Sequence, residues 1–557
     1  MREPFAENRL FSIRSDSDTE VSGSGPGCSP DGAAPFPLLS PRLMQSRWAL
    51  LERNRDRLAD EQGTLFKDAP LRLALCYPSP YHVGMSSLGF QTIYREIHAH
   101  EGVSAERAFL PDDAEAIAGH RASGTPVCSV ESGRPLTAFN ALAFSVSYEL
   151  ELSGLFELLE LSGIALHSED RTENTPLIIC GGPLTFSNPM PLAPFADLLV
   201  LGEAEDLIHE LIDALAERLP KHELLARLHR RPGFFAPALA PNTLPPPVAK
   251  ADDTRLPARS QILTPHTELS SMFLIEPERG CSRGCTYCVM RRTTNGGMRT
   301  VSPEQVLDLI PAHARKVGLV GAAVTDHPRI VDLVRTLVDS GRGVGISSLR
   351  ADRLCARPEL VTLLAKSGAR TLTTAADGAS ERLRTALDRK TNAAQLIRTA
   401  ELARAAGFAR LKLYLMLGLP GETDADLDEL VLLGEEISRI LPLSFGCAPF
   451  VAKRNTPMDG APFTPIAEVE RRLAYVRGKL RGRAEIRPTS ARWAWVEYML
   501  AQSGPEAGLA TEDAWRAGGT FAAFRHAFEA RGVVPKTGAR PADGRRKLPA
   551  LAMWPTA

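Results

Sequence analysis

Short apolar runs and stretches of helical spacing alternate along most of this chain. Leu-Arg-Leu-Ala-Leu-Cys-Tyr at 71–77 predicts a strand, the prolines at 78 and 80 close it, and 86–99 has the spacing of a helix. Further strands are predicted at 141–147, 177–182 and 196–202, with helices at 149–163 and 205–218. Strands and helices alternating at these lengths predict an α/β, Rossmann-like, doubly wound parallel sheet whose ligand site lies at the strand C-termini.

A second alternating run begins near 273, with strands predicted at 273–276, 317–325, 343–348, 369–375 and 411–417 and helices at 303–316, 381–387 and 393–406. Five or six such units suit a full or partial β/α barrel. Beyond 465 the pattern turns helical, at 466–481, 491–503 and 520–531, and gathers Trp493, Trp495 and Trp515. Residues 1–40 are rich in Ser, Gly, Pro and Asp without periodicity and are expected to be a disordered tail. Five prolines, at 237, 241, 245, 246 and 247, mark an extended connection. The expected division is a tail at 1–40, a sheet domain at 41–231, a linker at 232–264, a barrel at 265–465 and a helical region at 466–557.

A length of 557 residues is enough for two or three domains and large cofactors. Nine cysteines, six of them scattered, are not a disulfide framework, and a reducing cytoplasm fits better. The N-terminus lacks an apolar secretory core and no stretch has the ~18–20 apolar residues needed to span a bilayer, so the chain reads as soluble with no membrane partner. Net charge is −1, but from Arg471 onward there are 16 Lys or Arg against 7 Asp or Glu. That basic excess admits RNA, an acidic protein or a phosphorylated substrate as partner, although a solvated arginine-rich surface explains it more simply.

The chemistry concentrates in Glu276-Pro-Glu-Arg-Gly-Cys281-Ser-Arg-Gly-Cys285-Thr-Tyr-Cys288. Three thiolates at C-x3-C-x2-C spacing can hold an iron-sulfur cubane and leave one iron without a protein ligand. Gly280 and Gly284 argue against a continuous helix and for a loop that wraps the cluster. Two other readings stay open: three buried thiols on a helix face, and a zinc site completed by His266 or His313.

At these residues the chain resembles the radical S-adenosylmethionine (SAM) superfamily, over roughly 270–460, with Tyr287 as the aromatic residue before the third cysteine. The resemblance implies a cluster held by Cys281, Cys285 and Cys288, a SAM cofactor, and an electron donor such as flavodoxin or ferredoxin. Val320-Gly-Ala-Ala-Val-Thr-Asp326 stands where the superfamily contacts the methionine amine, so Gly321 and Asp326 are expected there. Ser347-Ser-Leu-Arg350 implies a ribose or carboxylate contact through Ser348 and Arg350, and Leu415-Met-Leu-Gly-Leu-Pro-Gly-Glu422 places Gly418 beside the adenine. Asp377, in Ala375-Ala-Asp-Gly-Ala379, replaces the glutamate of the family pattern and is one methylene shorter. Arg279, Arg283, Arg291 and Arg292 are expected to crowd the cluster and raise its potential.

Residues 67–220 resemble the cobalamin-binding domain that precedes the barrel in one large subgroup, through 81–89, 144–149, Gly181-Gly-Pro-Leu-Thr-Phe-Ser-Asn-Pro189 and Leu201-Gly-Glu-Ala-Glu205. The Asp-x-His-x-x-Gly motif of cobalt ligation is missing around His82, which leaves cobalamin bound without a protein histidine or a retained fold without the cofactor. The implied function is reductive cleavage of SAM to a 5'-deoxyadenosyl radical, with methyl transfer if cobalamin is used and the substrate unassigned. A methylthiotransferase-like modifier of RNA or protein is the alternative, opposed by the lack of a second cysteine triplet, since 67–230 holds only Cys76, Cys128 and Cys180. A rival of another class is a non-catalytic iron-sulfur or cobalamin sensor.

Overall fold

The computed structural model describes residues 41–241, 243–347 and 349–535, with side chains from residue 51 onward. Among the described residues fifteen strands form four sheets. The first contains β1 (Leu71–Pro80), β2 (Val103–Leu110), β3 (Ala141–Ser145), β4 (Leu177–Gly181), β5 (Leu198–Val200) and β6 (Phe234–Phe235), in the order β2-β1-β3-β4-β5-β6. Its strands run parallel except β6, which pairs antiparallel with β5. Period-two alternation sorts the side chains: Leu73, Leu75 and Tyr77 face one core, Ala74 and Cys76 the other. Both sides are apolar because helices cover both, as a parallel sheet requires.

The barrel region continues with β7 (Met272–Ile275), β8 (Glu278–Arg279), β9 (Arg299–Thr300), β10 (Lys316–Leu319), β11 (Gly343–Ile346), β12 (Thr371–Asp377), β13 (Arg410–Leu417), β14 (Leu443–Pro449) and β15 (Ala484–Pro488). The order is β11-β10-β7 in one parallel sheet and β12-β13-β14-β15 in the other, a partial barrel rather than a closed one. On β13, Leu411, Leu413, Leu415 and Leu417 are buried. Alternation turns Arg410, Lys412, Tyr414 and Met416 to the opposite face.

The segment 317–325, expected as one strand, is extended only to Leu319. Beyond it the chain turns over the cysteine loop, where the Ala323 N–H donates to Glu278 at 2.7 Å. The expected linker is not a loose spacer: Ala251, Leu256, Ala258 and Ile262 are buried and Ala249 pairs with Gly202. The expected tail at 1–40 lies outside the described residues.

Helices after β15 join the two halves. Pro505–Arg516 packs on Leu152–Leu161, with Phe156 and Trp515 rings 5.7 Å apart and the Trp515 indole N–H donating to Glu157 at 3.3 Å. Asn188 Nδ2 donates to the carbonyls of Leu500 at 2.8 Å and Ser503 at 2.7 Å. One apolar core therefore runs from the sheet through these helices into the barrel. The opposite face of the sheet packs a separate apolar cluster that includes Leu73, Leu75 and Tyr77.

Candidate functional site

The cysteine loop is tied off at its base by the two-residue antiparallel ladder of β8 and β9, which pairs Glu278 with Thr300 and Arg279 with Arg299. Gly280 has φ +84°, and a Cβ there would stand 2.2 Å from the Gly297 carbonyl, so only glycine lets the two arms close. Cys281 and Cys285 are buried and Cys288 is half-buried. All three line one cavity of about 220 Å3, together with Tyr287, Met290, Arg350, Arg389 and Tyr414. Among the described residues that lining holds no fourth cysteine and no histidine, aspartate or glutamate.

The thiols sense one another. Burial first, then Cys285 and Cys281 with Asp377, push Cys288 up to about 11; burial likewise raises Cys281 although the Arg283 N–H donates to its sulfur at 3.4 Å. No three His, Cys, Asp or Glu side chains among the described residues gather tightly enough for a single ion. Zinc needs its sulfurs about 2.3 Å from one point, whereas three thiols around a cavity many times the ~30 Å3 of a water suit a cluster. His266, a candidate fourth zinc ligand, bonds Asp60 at 2.7 Å instead.

The remaining sequence-picked residues divide. Tyr287 and Arg350 line the cavity. Arg350 is buried and fixed by bonds to Asp352 at 3.1 Å and the Arg389 carbonyl at 3.1 Å. Asp377, in a left-handed conformation with φ +63°, pairs with Arg389 next to Tyr287. Burial, then the Asp377 carboxylate, hold the Tyr287 phenol protonated. Asp326 is outside the lining: its side chain is 1% exposed and receives Arg283 at 2.8 Å and Arg353 at 2.6 Å. These guanidinium groups, against burial, hold its carboxyl well below the usual range. Asp326 thus anchors the cysteine loop through Arg283. Gly321 and Gly418 are also outside the lining: a Cβ on Gly321 would meet Glu278 at 2.2 Å, and the Gly418 N–H donates to Glu422 at 2.7 Å. Ser348 lies outside the described residues.

Of the four arginines expected to crowd the cysteines, Arg291 faces the cavity and Arg283 reaches its wall while bound to Asp326 and Asp352. Arg279 turns away to Glu203, Glu205 and Glu276, with Glu205 at 2.7 Å. The facing guanidinium missed in the sequence is Arg389, just beyond the helix Glu381–Ala386, where no motif marks it. Glu203 and Glu205 were also missed in this role. Glu203 accepts from Arg299, from Asn295 at 3.1 Å and from the Ala251 N–H at 2.9 Å, so the loop after β5 grips both arms of the cysteine loop.

At the sheet's strand ends, the Leu-Gly-Glu-Ala-Glu and Gly-Gly segments are occupied by the chain itself. A Cβ on Gly202 would lie 2.4 Å from the Ala249 carbonyl, and one on Gly182 2.8 Å from the Val146 carbonyl. Tyr148 and Leu150, after β3, face a second, larger cavity.

A parallel sheet joined to a partial barrel, with three cysteines on the loop beyond the first barrel strand, defines an α/β protein built around a thiol-lined cavity. Residues 89–237 match the family "Radical SAM proteins, N-terminal", and 275–434 match the "Radical SAM superfamily". The chain belongs to the radical SAM superfamily. It is similar to an uncharacterised protein, MJ0966, of Methanocaldococcus jannaschii, 24% identical over 422 residues, 73% of this chain and 83% of that one. It is also similar to the ribosomal protein uS12 methylthiotransferase RimO of Desulfosudis oleivorans, 26% identical over 57% of this chain and 69% of that one. Among solved structures, the cobalamin-dependent SAM radical enzyme OxsB with aqua-cobalamin and SAM bound is similar at 16% identity, TM-score 0.48, over 67% of this chain and 53% of that chain. The chain thus spans about half of that protein. Among the described residues no helix is long and apolar enough to cross a membrane.

Proposed function

We propose that this protein is a radical SAM enzyme that carries a 4Fe-4S cluster on Cys281, Cys285 and Cys288 and cleaves SAM reductively. The observation that carries the reading is the shared cavity with three thiols and no fourth ligand in its lining. Cys281, Cys285 and Cys288 would hold the cluster, which, reduced by a low-potential donor, would supply one electron to the sulfonium of SAM and break a carbon–sulfur bond to give methionine and a 5'-deoxyadenosyl radical. The chain's own groups bind and shield. Arg350 and Arg389 offer buried guanidinium groups to a carboxylate, and Thr373, Ser347 and Tyr414 offer hydroxyls. Half-buried Met290 and Tyr287 narrow the cavity against water. Asp326 fixes the loop arm through Arg283. A low-potential donor such as flavodoxin or ferredoxin, in the cytoplasm, completes the reading.

Cobalamin-assisted methyl transfer is a second reading, favoured by Tyr148 and Leu150 lining the large cavity. Cobalamin held there would supply a transferable methyl group. A methylthiotransferase reading lacks its second triplet: Cys76 and Cys180 are fully buried in the sheet, and burial pushes Cys180 up to about 12.

The test is to reduce oxygen-free, iron-sulfide-reconstituted protein with dithionite, add SAM and measure 5'-deoxyadenosine and methionine by chromatography. The reading expects both products, and neither from Cys285→Ala, which keeps its helical content but loses iron. A full cluster without either product would leave the sensor reading in its place.

A further inference from the structure

We infer, resting on the proposed reading of the site, that the substrate is elongated and carries a multivalent oxyanion, of phosphate or carboxylate type, at its end remote from the cysteines. A second cavity of about 2100 Å3 shares Tyr287 with the cysteine cavity. It extends to Arg370, Ala409, Arg410 and Pro442, at the opposite ends of β12, β13 and β14. From Arg410 to Leu417, β13 rises about 23 Å at roughly 3.3 Å per step. Pockets for small molecules commonly measure about 300–1,000 Å3, so this space suits a longer ligand with one end by the thiols and the other at the barrel base.

The charge of the lining selects the ligand's chemistry. Arg370, Arg410, Lys453, Arg477, Arg487 and Arg492 line it, against Glu470 and Glu497. Lys453 is matched by Glu149 at 2.7 Å and Glu497 at 2.7 Å. The base is rich in arginine. One carboxylate, Glu485, accepts from Arg410 at 2.8 Å and from Arg487 at 2.8 Å, which holds two guanidinium groups side by side. Arg370 precedes Thr371, which registers with Arg410, and it makes no ion pair among the described residues. Arg370 and Arg410, at neighbouring strand ends, present guanidinium groups to an anion with several oxygens, since arginine binds phosphate and carboxylate in bidentate fashion.

Isothermal titration of cluster-free protein with pyrophosphate, and separately with citrate, at fixed ionic strength tests this. We expect saturable one-to-one binding of at least one of them, weakened tenfold or more in Arg370→Glu and Arg410→Gln. An Arg525→Glu control, on the helix Phe521–Ala530 away from the lining, should bind as the unaltered chain does. Tighter pyrophosphate than citrate identifies a phosphate tail; the reverse identifies a carboxylate tail. Absence of saturable binding, or binding that survives Arg370→Glu, overturns the inference. Because the titration uses cluster-free protein, its outcome is independent of the SAM-cleavage outcome.

Discussion

Glu203→Gln should loosen the cysteine loop without unfolding the chain. Glu203 is buried and accepts from Arg299, from Asn295 at 3.1 Å, from the Ala251 N–H at 2.9 Å and, more weakly, from Arg279 at 3.5 Å. Burial works against its charge, yet Arg299 and Arg279 hold its carboxyl below the usual range. An amide keeps one acceptor and removes the charge. Arg279 still has Glu205 at 2.7 Å and Glu276 at 2.8 Å, but among the described residues Arg299 keeps the Ala251 carbonyl and Asp253, whose side chain is 61% exposed. A charge-assisted hydrogen bond contributes about 1.5–3 kcal/mol against about 0.5–1.5 for a neutral one, so losing two gives about 2–3 kcal/mol. At about 1.36 kcal/mol per decade that is roughly 30- to 160-fold more frequent opening. Hydrogen exchange of residues 280–298 in metal-free protein reads this directly, and loss of iron to a chelator from reconstituted protein should accelerate alongside it. Unchanged exchange in that loop, with the variant folded, would refute the reasoning that the sheet domain holds the cysteine loop.

Two further outcomes follow from the packing. Glu151 is buried, accepting from the Ser147 N–H at 2.6 Å and Ser79 at 3.0 Å, and burial pushes it up to about 7. Its folded-state proton is retained between about pH 4.5 and 7 while the unfolded chain releases it, so stability declines with rising pH in that window by up to about 3 kcal/mol and is level above it. Urea melts of Glu151→Gln should show a shallower decline, and identical slopes would contradict the assignment. Phe156→Ala empties a fully buried site between the sheet helix and Trp515. It should lower the unfolding free energy by about 3–5 kcal/mol. One cooperative transition should persist, because the core is continuous; two separated transitions would show independent domains.

Periodicity was enough for strands such as β1 and β13 and for the late helices Ile466–Lys479, Ala491–Gln502 and Phe521–Ala530, but it passed over Pro505–Arg516. It failed at β2, where Glu106 and Arg107 interrupt the apolar run. Arg107 is fully buried because Glu61 and Glu131 bind it at 2.7 Å and 2.6 Å, and those partners are 46 and 24 residues away. β14, β15 and the long helix Asp424–Ile440 were passed over, so the barrel was read short of its last two strands. At the site, spacing alone exposed the three cysteines, since ligands on one loop are local. Arg389 and the Glu203 clamp were not legible, because each becomes relevant only when distant segments meet. Asp326 shows the opposite effect: its position in a motif drew attention, and the fold gives it an anchoring task through Arg283.

The most direct measurement is electron paramagnetic resonance of the dithionite-reduced, reconstituted protein with and without SAM. The account predicts the signal of a reduced 4Fe-4S cluster that changes when SAM is added, because an iron without a protein ligand takes up the cofactor. A spectrum indifferent to SAM, or zinc in place of iron and sulfide on metal analysis, would contradict it.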